Sequence, residues 1–306
     1  MIVSAAQASW ACAPQGSGAG SGKQVIDPMR LFLLTSLTML AFAANSVLNR
    51  LALTEVGMDA VLFAIIRLVT GALALGALLL LRGKPVVFGG RRRWVGSLAL
   101  LLYLFGFSLA YVRLDAGVGA LLLFGTVQIT MFIAAVLGGE ALPRARWVGA
   151  SVAFAGLLWL LWPTETAAHS PVHLLAMIAA GVGWGLYSLA GRQEPDATGG
   201  TALNFLCAVP LGLLLLPFAA LGTVTAYGAA LAALSGIVTS GLGYALWYAV
   251  LPALGASRAA VIQLTVPVLA TLGGLVLLAE PVTARLIVAT LLVLAGVTYA
   301  LRRATP

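Results

Sequence analysis

Apolar residues run along this chain in stretches of about twenty, separated by short polar or charged junctions, and the pattern continues nearly end to end. A helix needs about 20 mostly apolar residues to cross a hydrocarbon layer of roughly 30 Å, so each stretch predicts a membrane-spanning helix. Ten fit: residues 30–53, 58–82, 94–113, 116–138 and 144–162 in the first half, then 171–191, 201–221, 227–250, 257–278 and 282–302. The joins between spans 3 and 4 and between spans 8 and 9 are so tight that only Asp115 and Arg258 mark them. The first 29 residues have neither a basic leading region nor a long apolar run. They predict a flexible cytoplasmic tail and no signal peptide.

Composition and charge agree with this pattern. Hydrophobic residues make up 61% of the chain, charged residues 8%, and mean hydropathy is +1.06, far from the balance of a soluble core. Of the 17 basic residues, 13 lie in alternate junctions or in the two tails, from Lys23 and Arg30 to Arg302 and Arg303. Only Arg50, Arg113 and Arg285 lie at the opposite junctions, and Arg67 falls within span 2. Because cytoplasmic loops retain Lys and Arg during insertion, both termini are expected to be cytoplasmic, in the inner membrane. The net charge of +8 then reflects topology and requires no nucleic-acid partner. Cys12 in the tail and Cys207 in span 7 are not expected to pair, and no metal cluster or cofactor is expected.

The chain also repeats itself. A shift of 140 residues lays Leu114 to Leu161 on Leu254 to Leu301 without a gap, matching Glu140 with Glu280 and Gly156 with Gly296. An offset of 142 places Phe42 on Trp184, Ser46 on Ser188 and Arg50 on Arg192. The organisation expected is a tail at 1–29, one five-helix repeat at 30–163 and a second at 164–306. Five is odd, so the two repeats enter the membrane with opposite orientation. Such inverted repeats are common in secondary transporters, whose substrate sits near the midplane between the halves. The fold class expected is thus an all-α integral membrane protein of ten transmembrane helices, built 5+5.

The stretch LGASRAAVIQLTVPVLATLGGLVLLAEPV, the GGEAL closing span 4 and the WGLY beginning at Trp184 resemble the EamA type of the drug/metabolite transporter superfamily. Within it the chain is most similar to the YddG-like aromatic amino acid exporters. The resemblance implies export of small metabolites, aromatic and other neutral amino acids foremost.

Candidate substrate contacts are the intramembrane aromatic and polar residues. Trp94, Trp147, Trp159 and Trp162 stand at span ends, where amphipathic rings suit the interface. Trp184 with Tyr187 and Ser188, and Trp247 with Tyr244 and Tyr248, lie inside spans 6 and 8, each group on one helical face. Tyr103, Phe107 and Tyr111 recur at four-residue spacing on span 3. These faces suit one aromatic-lined cavity; core packing or lipid contact is the alternative for any single ring. Polar residues within a bilayer are functional candidates by default, which adds Asn45, Asn49, Gln128 and Gln263, although interhelical hydrogen bonding is their ordinary role. Amides and tyrosine hydroxyls suit a zwitterionic amino acid. Arg67 is expected to extend its stem to the external interface.

None of the nine acidic residues lies deep in a span, so facilitated movement is expected in preference to obligatory proton coupling. Glu140 and Glu280 end helices, with Arg144 and Arg285 as expected charge partners. Gly117, Gly119, Gly125, Gly236, Gly241 and Gly243, with Pro252 and Pro267, suggest that spans 3 with 4 and 8 with 9 move as gating pairs. Catalysis lacks a positioned nucleophile, acid or metal set; His169 and His173 are the only histidines, with Pro171 between them. A passive pore or an exporter of hydrophobic cations are the alternatives. The partners expected are a small-molecule substrate and the bilayer, with one chain able to function as a monomer.

Overall fold

The structure is a computed structural model that describes residues 27–83, 90–139, 142–162, 170–191, 194 and 196–302. The expectations placed on the tail, Glu140, Arg192 and His169 lie outside these residues. Within them every regular element is helical: α1 (Pro28–Thr54), α2 (Ala60–Arg82), α3 (Arg91–Tyr111), α4 (Ala116–Leu137), α5 (Arg144–Leu161), α6 (Pro171–Gly191), α7 (Ala197–Leu213), α8 (Ala226–Leu234), α9 (Gly243–Gln263), α10 (Thr265–Leu278) and α11 (Ala284–Arg302). A π-helical segment, Ser235–Leu242, joins α8 to α9 without a break.

Local chemistry sets the helix ends. The Asp27 carboxylate accepts from the Arg30 N–H ahead of a proline at N1, Asp59 accepts from Leu62 N at 3.0 Å, and Thr225 accepts from Gly228 N at 3.0 Å. Each satisfies a donor the helix start leaves free. Gly83 ends α2 in the left-handed region at φ 58°, where glycine carries no Cβ penalty. Ala279 takes the same conformation at φ 51° after α10, a strain of about 1 kcal/mol or more for a non-glycine residue. That turn folds the chain back and brings Glu280 N to Gly274 O at 3.1 Å.

Six helices among the described residues are long and apolar enough to cross a membrane, the longest being the run Ala226–Leu254, and several apolar helices are shorter. Their outward faces carry bare hydrocarbon: Leu80 and Leu81 are each 85% exposed. Water would not tolerate such a surface, and lipid does. Trp94, Trp147, Trp159 and Trp162 are exposed on this surface.

Two helix boundaries correct the sequence reading. The helix does not break at Arg258: α9 runs on through Pro252, and the interruption falls at Leu264. The cause is Pro267, which has no N–H to give the Gln263 carbonyl four residues before it. Span 7 is also shorter and earlier than expected; α7 stops at Leu213, and short 3-10 turns at Leu216–Phe218 and Leu221–Thr223 follow.

Packing is between sequence-distant helices. α3 lies along α6, α5 along α11, α2 against α7 and the π segment, and α4 against α6 and α10. α1 meets α9 and α10. Consecutive α3 and α4 barely touch, as do α9 and α10, so the expected gating pairs are not packed units; each member is held by helices of the other half. Close approach depends on small residues. At the α5–α11 crossing, a Cβ at Gly296 would stand 2.7 Å from Ala153 N, and Gly149 faces the Gly296 backbone equally closely. Buried side chains form one large core around α1, α2, α3, α6 and α9 and a smaller one between α4, α5 and α11.

Candidate functional site

The large core contains a narrow cavity of about 10 Å³, room for about one water molecule, walled by Phe42 and Ser46 of α1, Tyr103 and Phe107 of α3, Leu123 and Phe124 of α4, Trp184 of α6 and Tyr244 of α9. Phe42 presents edges to Trp184 at 5.5 Å, Tyr244 at 5.8 Å and Trp247 at 5.8 Å between ring centres. Trp184 lies 5.0 Å from Tyr103 and 4.7 Å from Tyr244. Edge and tilted contacts of this kind favour a fixed cage of rings over a fluid core. That is far below the roughly 300 Å³ at which small-molecule pockets begin, so the rings leave no room for a substrate in this conformation.

Behind the rings lies a polar network with an arginine at its centre. Arg67 is 0% exposed, which overturns the expectation that it reaches the membrane surface. Its Nε donates to Ser240 Oγ at 2.7 Å, and its Nη2 donates to the hydroxyls of Tyr103 at 3.1 Å and Tyr244 at 2.7 Å. Its Cζ lies 5.3 Å from the Tyr103 ring centre and 5.1 Å from that of Phe107. Snorkelling fails because those donors and π faces hold the head group in the interior.

The π segment makes this possible. Its wider turn presents Ser235, Thr239 and Ser240 toward α1 and α2, and irregular turns of this type recur at functional sites. Ser235 and Thr239 hydroxyls donate to Asn45 Oδ1 at 2.7 and 3.0 Å, and Asn45 Nδ2 donates to the Tyr103 hydroxyl at 3.2 Å. Asn49 Nδ2 donates to the Asn45 carbonyl at 3.0 Å, while Ser108 donates to Asn49 Oδ1 at 2.9 Å. Gly236 lets the segment sit directly on α2, since a Cβ there would strike Thr70 Oγ1 and the Arg67 carbonyl.

A polar cluster stands toward each end of the cavity. At one, Arg50 Nε donates to Glu280 at 2.9 Å, Nη2 to Asp115 at 3.3 Å, and Nη1 to the carbonyls of Tyr111 and Val112. Glu280 also accepts from Ala116 N at 2.8 Å. This corrects the expected Glu280–Arg285 pair: the left-handed turn at Ala279 aims Glu280 inward, and Arg285 instead donates to the Trp159 carbonyl at 2.7 Å and lies over that indole. Burial pushes the Glu280 carboxyl above its ordinary range, against the opposing pull of Ala116 N–H and Arg50. At the other end the buried Arg93 donates to Gly200 O at 2.6 Å, Asn204 at 3.1 Å and Glu194 at 3.0 Å.

Of the candidates read from sequence, Tyr103, Phe107, Trp184 and Tyr244 line the cavity. Asn45 and Asn49 stand behind it with their amides engaged. Trp247 is not on the wall and meets Phe42; Tyr187 stacks on Trp184 and Tyr248, at 5.5 and 5.4 Å, one layer away. Ser188 is buried in that layer, Gln263 closes α9, and Gln128 is half-buried on α4. None of these last three lines the cavity. Phe42, Ser46, Leu123 and Phe124 of the wall, and Arg67 behind it, are not among those candidates. Phe42 had a signal in the sequence, its repeat partner Trp184; Arg67 had one in being the only arginine well inside a span.

A family model described as the EamA-like transporter family matches residues 172–302. An uncharacterized protein of Pseudomonas aeruginosa is 49% identical over 269 residues, covering 88% of this chain and 93% of that protein. An uncharacterized transporter of Archaeoglobus fulgidus is 26% identical over 232 residues, 71% of this chain and 82% of the relative. A solved crystal structure overlays with a TM-score of 0.63 at 23% identity, covering 87% of this chain and 98% of the other, a likeness of fold.

Proposed function

We propose, from the match of residues 172–302 to the EamA-like transporter family and the likeness to an uncharacterized transporter, that this chain is a secondary carrier exporting small amphipathic metabolites, foremost aromatic and other neutral amino acids, across the inner membrane. It does so by alternating access around the aromatic cavity. Ten spans in two inverted five-helix repeats, with both termini cytoplasmic, form the frame of this reading.

The observation that carries the proposal is a closed cage of rings drawn from helices of both halves, capped toward each end by a separate charged cluster. A carrier needs one site and two barriers that open in turn; a pore needs none that closes. Helix packing also supports the inverted repeat. An exchange of the halves maps α2 with α7, α4 with α10 and α5 with α11 onto themselves, and it exchanges α1–α10 with α6–α4; each of these is an observed contact.

No carboxylate lines the cavity among the described residues, which favours facilitated movement over proton coupling. The test is flux of labelled phenylalanine and glycine into liposomes holding the purified protein, without an ion gradient. Saturable phenylalanine uptake with counterflow supports the proposal. Flux strictly dependent on a pH gradient would defeat the facilitated mechanism, and flux linear in concentration would indicate a pore.

A further inference from the structure

Arg67 carries a charge that no described residue beside it neutralises. Arg50, Arg82 and Arg93 each pair with a carboxylate, whereas the hydrogen-bond partners of Arg67 among the described residues are neutral hydroxyls. A guanidinium has five N–H donors. Ser240, Tyr103 and Tyr244 take three, and Nη1, with two, has no partner in a residue that is 0% exposed. Buried donors are rarely left so, least of all on a full charge within a membrane span.

Building on the carrier reading above, we infer that the cavity takes its substrate as a monoanion, with a carboxylate oxygen received by Arg67 Nη1 and the apolar body held against Phe42 and Trp184. Position supports this, because the guanidinium is in contact with two rings of the cavity wall, Tyr103 and Phe107. Tyr103, Phe107 and Tyr244 both line the cavity and touch the guanidinium, so substrate reaches Arg67 by parting these rings, and the Tyr103 and Tyr244 hydroxyls remain beside the site. Charge balance sets the class. One guanidinium without a lysine beside it neutralises one negative charge, which suits a carboxylate and leaves a phosphate monoester in excess. A cation without a carboxylate meets like charge and no acid on the wall. An amino acid satisfies the site through its carboxylate alone, and its ammonium is dispensable.

The repeat sharpens the point. Offsets of 140 to 142 lay Arg67 on Cys207, Ala208 or Val209, so the scaffold's symmetry does not call for a charge here. A charge present in one half and absent from the other belongs to the cargo site more readily than to the frame.

Three probes separate the chemistry: L-phenylalanine, 3-phenylpropionate, which lacks the amine, and 2-phenylethylamine, which lacks the acid. Binding to the purified protein is followed by indole fluorescence, with counterflow measured in parallel. Phenylpropionate is expected to bind within about 10-fold of phenylalanine, and phenylethylamine about 100-fold more weakly. Arg67→Lys should keep the preference for acid over amine at reduced affinity, and Arg67→Gln should abolish it. Phenylethylamine binding as tightly as phenylpropionate to the unmodified protein overturns the anion site while leaving the carrier reading intact. Acid binding without counterflow upholds the site and sinks the carrier. Binding of none of the three overturns the inference. The comparison of probes on the unmodified protein stands even where Arg67→Gln fails to fold.

Discussion

Replacing Arg50 by alanine should unlock one end of the cavity. Arg50 ties α1 to Glu280 at 2.9 Å, to Asp115 at 3.3 Å and to two α3-end carbonyls, with side chains 16%, 11% and 35% exposed for Arg50, Glu280 and Asp115. Removing one partner of a fully buried pair costs about 3–5 kcal/mol. Discounted for this partial exposure, about 2 kcal/mol remains, which moves the closed-to-open equilibrium by about 30-fold. Ser46 lines the cavity one helical turn from Arg50. In a Cys12→Ser, Cys207→Ala background, Ser46→Cys should therefore react with a polar maleimide about 10- to 30-fold faster when Arg50 is alanine. The pH dependence follows from Glu280, whose carboxyl is raised by burial and lowered by Arg50. Without Arg50, burial acts with less opposition, and the closed end holds Glu280 at a higher pKa than the open, hydrated end. The closed form then binds the proton, so falling pH restores closure and removes the extra labelling. Equal labelling rates at neutral pH in the two monodisperse proteins, or labelling that accelerates as pH falls, would refute the reasoning.

Three further outcomes are expected. Trp184→Ala, which removes ring contacts to Phe42, Tyr103 and Tyr244, should raise the half-saturating phenylalanine concentration about 10-fold, with Trp184→Phe recovering part of it in the same liposome assay. Gly296→Leu, pressed against Gly149 and Ala153, should destabilise by about 1–3 kcal/mol; Gly76→Ala, with open space around it, should leave the melting temperature unchanged or slightly raised, and equal melting for both variants would remove the packing argument. Arg93→Gln leaves Glu194 unpaired and frees Gly200 O and Asn204, so its melting temperature should fall further than that of Glu194→Gln, whose loss leaves Arg93 two neutral partners.

Helix positions were legible in the sequence because hydropathy reports directly on lipid contact, and they failed only where backbone chemistry intervenes. Pro267 moved a break from Arg258 to Leu264, and the turns around Pro217 shortened span 7. The aromatic half of the site was legible for a related reason: rings at helical spacing on α3, α6 and α9 share one face, and tyrosine hydroxyls on that face need partners that the interior supplies. Hydrogen-bond partners were not legible. Nothing in the sequence says that Ser235, Thr239 and Ser240 turn inward, because that depends on a π-helical segment whose residues would suit an ordinary helix. Sequence proximity favours Arg285 as the partner of Glu280, while a single left-handed residue, Ala279, points the carboxylate at Arg50 instead.

Arg67 shows where a hydropathy argument misleads. Treating a charge within a span as one that escapes to the surface is sound for an isolated helix, whose alternatives are lipid and headgroup. Inside a bundle a third destination exists, made from the hydroxyls and ring faces of other helices. Those contacts offset part of the cost of burying the guanidinium and leave Nη1 bare. Asn45, by contrast, has both amide ends engaged. An amide already bonded on both sides positions its neighbours, whereas a buried charge with open donors retains capacity to bind. By that criterion the weight of the site moves from the asparagines to Arg67, and the rings around it serve to select the body of whatever the arginine holds.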